Sequence, residues 1–188
     1  WDLEFQPLKP VCGRRSSHIA QFRTANASLA QARFSVPLEQ LGAPPPGCLT
    51  FVIQDRGMKR LWWRGHDVDA SMVLVFPMGS ELKCASGTDF NVHTLSYPDA
   101  TIEKVAATIE LDLAATRRQR EVFHAPPSLL EPIRARLAAL RDERATAEHV
   151  DLLAILGALL PCWLRAANAA KGRPPDVRAR SRALRMSL

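Results

Sequence analysis

The texture of the chain changes once, after Tyr97, and that single change bounds the fold more tightly than any motif. Before it lie short segments rich in β-branched and aromatic residues: SHIAQF (17–22), SLAQARFSVPL (28–38), CLTFVIQ (48–54), KRLWWRG (59–65), SMVLVFP (71–77), SELKCA (80–85) and FNVHTLSY (90–97). They are set apart by PPPG, DRG, GHD, PMG and SGTD, which are turn formers. Strands at roughly 8 to 12 residue spacing with such punctuation predict an antiparallel barrel or jelly roll, because parallel pairs need helix-length crossovers. After Tyr97 the chain is rich in Ala, Leu, Glu and Arg, with few turn residues. The expected fold class is therefore α+β, with a β-barrel over 1–97 and C-terminal α-helices over 98–170.

Local patterns refine this division. In 28–38, Leu29, Gln31, Arg33 and Ser35 alternate with Ala30, Ala32, Phe34 and Val36, as a strand with one buried face should. Beyond Pro98, Ile102, Val105, Ile109 and Leu113 recur at spacings of 3, 4 and 4, which suits a helix, although the Thr and Ile content leaves a strand followed by a helix open. Ser128 reads as an N-cap, with Glu131 at the capping-box position and Leu129, Ile133, Leu137 and Leu140 as the apolar stripe. A third helix is expected from Thr146 to about residue 170. Its leucines are spread too widely for one buried surface, and Pro161 should kink it.

Charge and cysteine usage exclude several classes of function. The 188 residues carry +6, but residues 171–188 hold six cations against Asp176, and so contribute +5 of it. The body is nearly neutral, so any phosphate attraction resides in the tail. Cys12, Cys48, Cys84 and Cys162 stand 36, 36 and 78 positions apart, with no C-x-x-C, which argues against a zinc or redox motif and for reduced thiols. WDLEFQPLKP lacks the basic and apolar regions of a signal peptide. The most apolar run, 152–164, has 13 residues where a membrane span takes roughly 20. A cytoplasmic protein with no membrane partner is expected.

Past the third helix, Gly172 suits a helix end and Pro174-Pro175 an extended spacer. DVRARSRALRMSL then resumes a helical pattern, as a linker into a further domain would. The order of barrel, helices, linker and basic helix resembles the N-terminal domain of the AraC family of bacterial transcription regulators. Two stretches carry the resemblance. One is Gly65-His66-Asp67-Val68, with the strand Met72–Phe76 and the turn Pro77-Met78-Gly79-Ser80-Glu81, similar to part of a cupin-like barrel. The other is R-A-L-R-M-S-L at 182–188, similar to the lead-in to the family's first DNA-binding helix. The resemblance implies a small-molecule effector inside a cupin-like barrel and a helical homodimer interface. It also implies two helix-turn-helix units that read DNA, so DNA is expected as a partner only through that further domain.

Candidate site residues follow from strand parity. Trp62 and Trp63 are adjacent, so one faces in and one out, and Trp63 is the candidate pocket wall. Phe51 and Ile53 share a face, as do Leu74 and Phe76, so Phe51, Ile53 and Leu74 are further candidate walls. His93 could donate to a ligand, and Arg33 could pair with an effector carboxylate. In α-helical spacing, Leu152, Leu156, Leu159 and Trp163 form one stripe and Leu153, Leu160 and Leu164 a second. Either both are buried within one chain or the first meets a twofold mate, and the homodimer reading is preferred. The competing function is a cupin-fold enzyme using Glu81 or His93 as acid or base. No H-x-H pair exists among His18, His66, His93, His124 and His149, so no metal or other cofactor is expected and the enzyme reading is disfavoured.

Overall fold

Seven consecutive residues, Cys48–Gln54, form the strand from which the sheet is built outward, and the reason is chemical: Val52, Ile53 and Phe51 favour the pleated backbone and can be buried on either face. The computed structural model describes residues 1–8, 16–57, 61–63, 66–113, 121–139 and 151–169. In chain order the strands are β1 (Asp2–Pro7), β2 (Ser17–Arg23), β3 (Ser28–Phe34), β4 (Leu38–Ala43), β5 (Cys48–Gln54), β6 (Leu61–Trp63), β7 (His66–Val68), β8 (Met72–Phe76), β9 (Leu82–Ser86) and β10 (Phe90–Pro98). Then follow α1 (Asp99–Thr108), β11 (Val122–His124), α2 (Pro127–Ala139) and α3 (Leu152–Ala169).

The strands make two sheets, ordered β1-β4-β9-β6-β7 and β11-β8-β5-β10-β3-β2, and neighbours within each pair antiparallel. The fold is α+β, with a cupin-like pair of sheets that face each other without closing into a barrel. Between them lies one core, which includes Phe34, Val52, Leu61, Trp63, Leu74, Phe76, Leu82 and Val92. The outer face of the six-stranded sheet carries a second core, where Leu29, Phe51, Ile53, Val75, Leu95 and Tyr97 meet the three helices. The β3, β5, β8 and β10 strands are thus sandwiched between two apolar layers. The single buried face expected of 28–38 is corrected accordingly: Leu29 packs toward the helices while Phe34 packs between the sheets.

That same segment also breaks in two. Proline cannot donate to a ladder, and at Ser35–Pro37 the chain leaves one sheet to start β4 in the other. The Pro37 carbonyl accepts from Leu8 N–H (3.1 Å) instead. The region after Tyr97, expected to be mainly helical, contributes β11, which pairs with β8 and extends the sheet past α1.

Helix ends depart from the sequence reading for local reasons. The α1 helix stops at Thr108, so Ile109 and Leu113 lie beyond it. Glu110 takes a left-handed φ of 53°, its N–H donating to Ala107 O and that of Leu111 to Ala106 O. This is a Schellman end with glutamate where glycine is usual, so no glycine marks it. Pro126 O accepts the first bonds of α2, from Leu129 and Leu130, which puts Ser128 inside the helix instead of at its cap. Asp151 Oδ1 accepts from Ala154 N–H (2.9 Å) and caps α3, which runs on through Pro161. Leu140, Thr146 and the 171–188 tail lie outside the described residues.

Candidate functional site

Between the sheets is a small cavity of about 60 Å³. The five-stranded sheet contributes Leu61 and Trp63 from β6, Leu82 and Cys84 from β9, and Gln40 from β4. The opposite wall comes from alternate residues of central strands: Val52 on β5, Leu74 and Phe76 on β8, Val92 and Thr94 on β10. Trp1 and Ile19 line it as well, Ile19 being exposed. Aromatic rings form one continuous wall, with Trp63 edge-on to Phe76 at 5.0 Å and Trp1 edge-on to the same Phe76 at 5.5 Å.

The polar side chains of the lining are few, with Gln21, Gln40 and Thr94 among them. Trp1 Nε1–H donates to Thr94 Oγ1 (3.1 Å), and Gln40 Nε2 donates to Ser86 Oγ (3.0 Å), which in turn donates to Leu38 O (3.4 Å). Burial pushes the Cys84 thiol up to about 12, so it lines the cavity as a neutral group. Among the described residues no Asp, Glu, Lys, Arg or His side chain lines this space. Nor do they include a group of three or more His, Cys, Asp and Glu placed to hold a metal.

The structure sorts the expected site residues into two sets. Trp63, fully buried, and Leu74 border the cavity, while Trp62 points outward at 44% exposure. Phe51 and Ile53 do not border it: they lie on the other face of β5, where Phe51 meets Trp163 edge-on at 6.0 Å and Tyr97 at 6.4 Å. His93 is likewise on the helix-facing side of β10, opposite Ile53 and Gln31 in register and in step with Leu95 and Tyr97. Arg33 is exposed and borders a separate polar depression with Asp55, Asp89 and Asn91. There Asn91 Nδ2 donates to Asp55 Oδ2 (2.6 Å) and Gln31 Nε2 to Asn91 Oδ1 (3.3 Å).

The expected dimer stripe is corrected as well. Leu152, Leu156, Leu159 and Trp163 are buried against their own sheet, and Leu160 and Leu164 are buried too. What α3 leaves exposed among the described residues is Ala154, Ala158 and Arg165, too little apolar area for a coiled-coil seam.

Sequence reasoning missed Thr94, Gln40, Val92 and Trp1. Thr94 and Val92 were within reach, since parity from either one fixes the other once β10 is known to be central.

Solved structures compared with this one include that of an AraC-like transcriptional activator, CuxR, which aligns with a TM-score of 0.57 over 93% of this chain. The chain has an AraC-like fold. Sequence identity to CuxR is 11%, and this chain spans 64% of that protein's length. The Momordica charantia 7S globulin aligns over 59% of this chain and 47% of its own at 12% identity, with a TM-score of 0.22, too low to carry an argument. No protein-family model matches the sequence, and no curated protein matches it. No helix among the described residues of this AraC-like fold is long and apolar enough to cross a membrane.

Proposed function

We propose that this chain is the sensing part of a transcription regulator: a small-molecule effector enters the cavity between the sheets, and its presence is passed through the helices to a DNA-binding domain. The observation that carries the reading is that one sheet separates the cavity from the helices. Val52 lines the cavity, while its neighbour Phe51 contacts Trp163 of α3. Val92 and Thr94 line it, while Leu95 and Tyr97 on the same strand pack on the helical side. A ligand that displaces β5 or β10 by a fraction of an ångström must repack the helix contacts, because close-packed interfaces do not absorb such shifts smoothly. The effector then favours whichever helix arrangement fits the filled cavity.

A cytoplasmic homodimer with no membrane partner belongs to the same proposal, its surface lying elsewhere than the buried α3 stripe. The enzyme alternative gains nothing from the geometry: Glu81 is exposed, His93 faces the helices, and neither borders the cavity. The test is a thermal-shift screen of small metabolites on the chain and on Ala32→Leu, which fills the cavity from β3. An effector at about 100 times its Kd should stabilise the unaltered chain by about 2.7 kcal/mol and lose that effect in the filled variant. Stabilisation that persists in Ala32→Leu, or that divalent metals alone provide, sinks the reading.

A further inference from the structure

We infer that the cavity takes an uncharged, flat, largely apolar molecule with one edge that both donates and accepts hydrogen bonds, as a carboxamide does, and that Gln54 reads that edge. The inference rests on the sensing role proposed above and narrows it to a ligand class.

Three observations converge. The absence of charged side chains from the lining, among the described residues, means that a charged ligand would leave water without compensation. The edge-on set of Trp1, Phe76 and Trp63 offers aromatic surface to a flat ring. The third is Gln54 itself. Its side chain is fully buried, and neither Oε1 nor Nε2 has a hydrogen-bond partner among the described residues.

Alternation along β5 puts Gln54 on the face of Val52, and the ladder sets it directly opposite Val92. Both valines line the cavity, and Gln54, not itself one of the lining residues, lies next to them on the same face of the sheet. Its neighbours are provided for: Thr50 Oγ1 donates to Ser96 Oγ (2.8 Å), Thr94 accepts from Trp1, and Gln40 donates to Ser86. A buried amide left with both ends unmet is destabilising, and such a group calls for an explanation. A ligand edge with one donor beside one acceptor meets both ends at once. The narrow interior favours a slim ligand.

The experiment titrates the whole chain and Gln54→Leu with benzamide, benzoate and toluene, following tryptophan fluorescence and melting temperature. The expected result is benzamide binding about tenfold tighter than toluene or benzoate, a preference that Gln54→Leu removes while toluene binding stays unchanged. Gln54→Met, closer in volume, serves where the leucine variant fails to fold. Benzoate binding as tightly as benzamide, or a benzamide preference that survives at position 54 without the amide, overturns the inference alone. In that case the sensing role still stands if the metabolite screen finds ligands blocked by Ala32→Leu. If no compound of either kind is sensitive to Ala32→Leu, the sensing role itself has failed.

Discussion

The phenol of Tyr97 donates a 2.9 Å hydrogen bond to the carbonyl of Leu152, joining the far end of β10 to the first turn of α3 across 55 residues of chain. Both residues are buried, so neither partner can turn to water when the bond is lost. Tyr97→Phe keeps the ring and removes the donor. It should cost about 1–3 kcal/mol in urea unfolding, the price of a buried carbonyl left unmet.

Alkaline pH should weaken the fold before it affects any charge pair. Burial raises the pKa of Tyr97, and that of Cys84 rises from an ordinary value of 9.0 to about 12. Both groups therefore stay protonated in the folded chain at pH values where the unfolded chain releases the proton. Their contribution is fully present below the unfolded pKa and is lost as pH rises. For Cys84 the window is pH 9 to 12, with a limiting slope of about 1.4 kcal/mol per pH unit. Unfolding free energy measured across that window should fall less steeply in Cys84→Ala than in the parent.

Arg134 clamps α2 to the end of the sandwich. Its Nε donates to Gln54 O (2.9 Å), Nη1 to Glu131 Oε1 (3.0 Å) and Nη2 to Ala70 O, while Arg56 pairs with the other oxygen of Glu131. Burial lowers the pKa of the guanidinium, with Asp55 opposing and Arg56 adding to the effect. Lysine has no fork to reach two carbonyls and a carboxylate together. Arg134→Lys should destabilise by about 1.5–3 kcal/mol, whereas Arg136→Lys, on the exposed side of the same helix, should stay within about 0.5 kcal/mol.

Phe51 and Trp62 should separate just as sharply. Phe51 is fully buried between Tyr97 and Trp163, and its truncation to alanine should cost about 3–5 kcal/mol. Trp62→Ala, at 44% exposure, should cost far less, within about 1 kcal/mol. A double-mutant cycle of Phe51→Ala with Trp163→Ala should show coupling of at least about 0.5 kcal/mol, since the rings touch.

What could be read from sequence follows from what each segment had to satisfy. The β5 strand was legible to the residue because turn formers flank a run rich in β-branched and aromatic residues, and β2, β8 and β10 emerged for the same reason. The facing of β5 was not legible. Every residue from Leu49 to Gln54 is buried, so hydrophobicity does not alternate, and Phe51 with Ile53 was assigned to the wrong side. The Trp62–Trp63 pair was decided only by register, Trp63 lying opposite Cys84 and His66. The α3 helix was visible as doubly apolar, yet a helix buried in its own chain and one shared with a second copy carry the same pattern. Gln54 gave no signal at all, because a glutamine at a strand end reads as a solvent-facing residue until its neighbours are known.

The pairing of β11 with β8 makes the sandwich something that cannot be excised. A chain cut after Tyr97 would retain β1 to β10, yet β8 would present its ladder groups to any passing strand, and the face carrying Phe51, Ile53 and Leu95 would lie bare. A nascent chain passes through that state on the ribosome, with the sheet complete in all but its last strand and its cover not yet synthesised. Protein engineers wishing to transplant the cavity into another protein would have to carry everything through α3 with it.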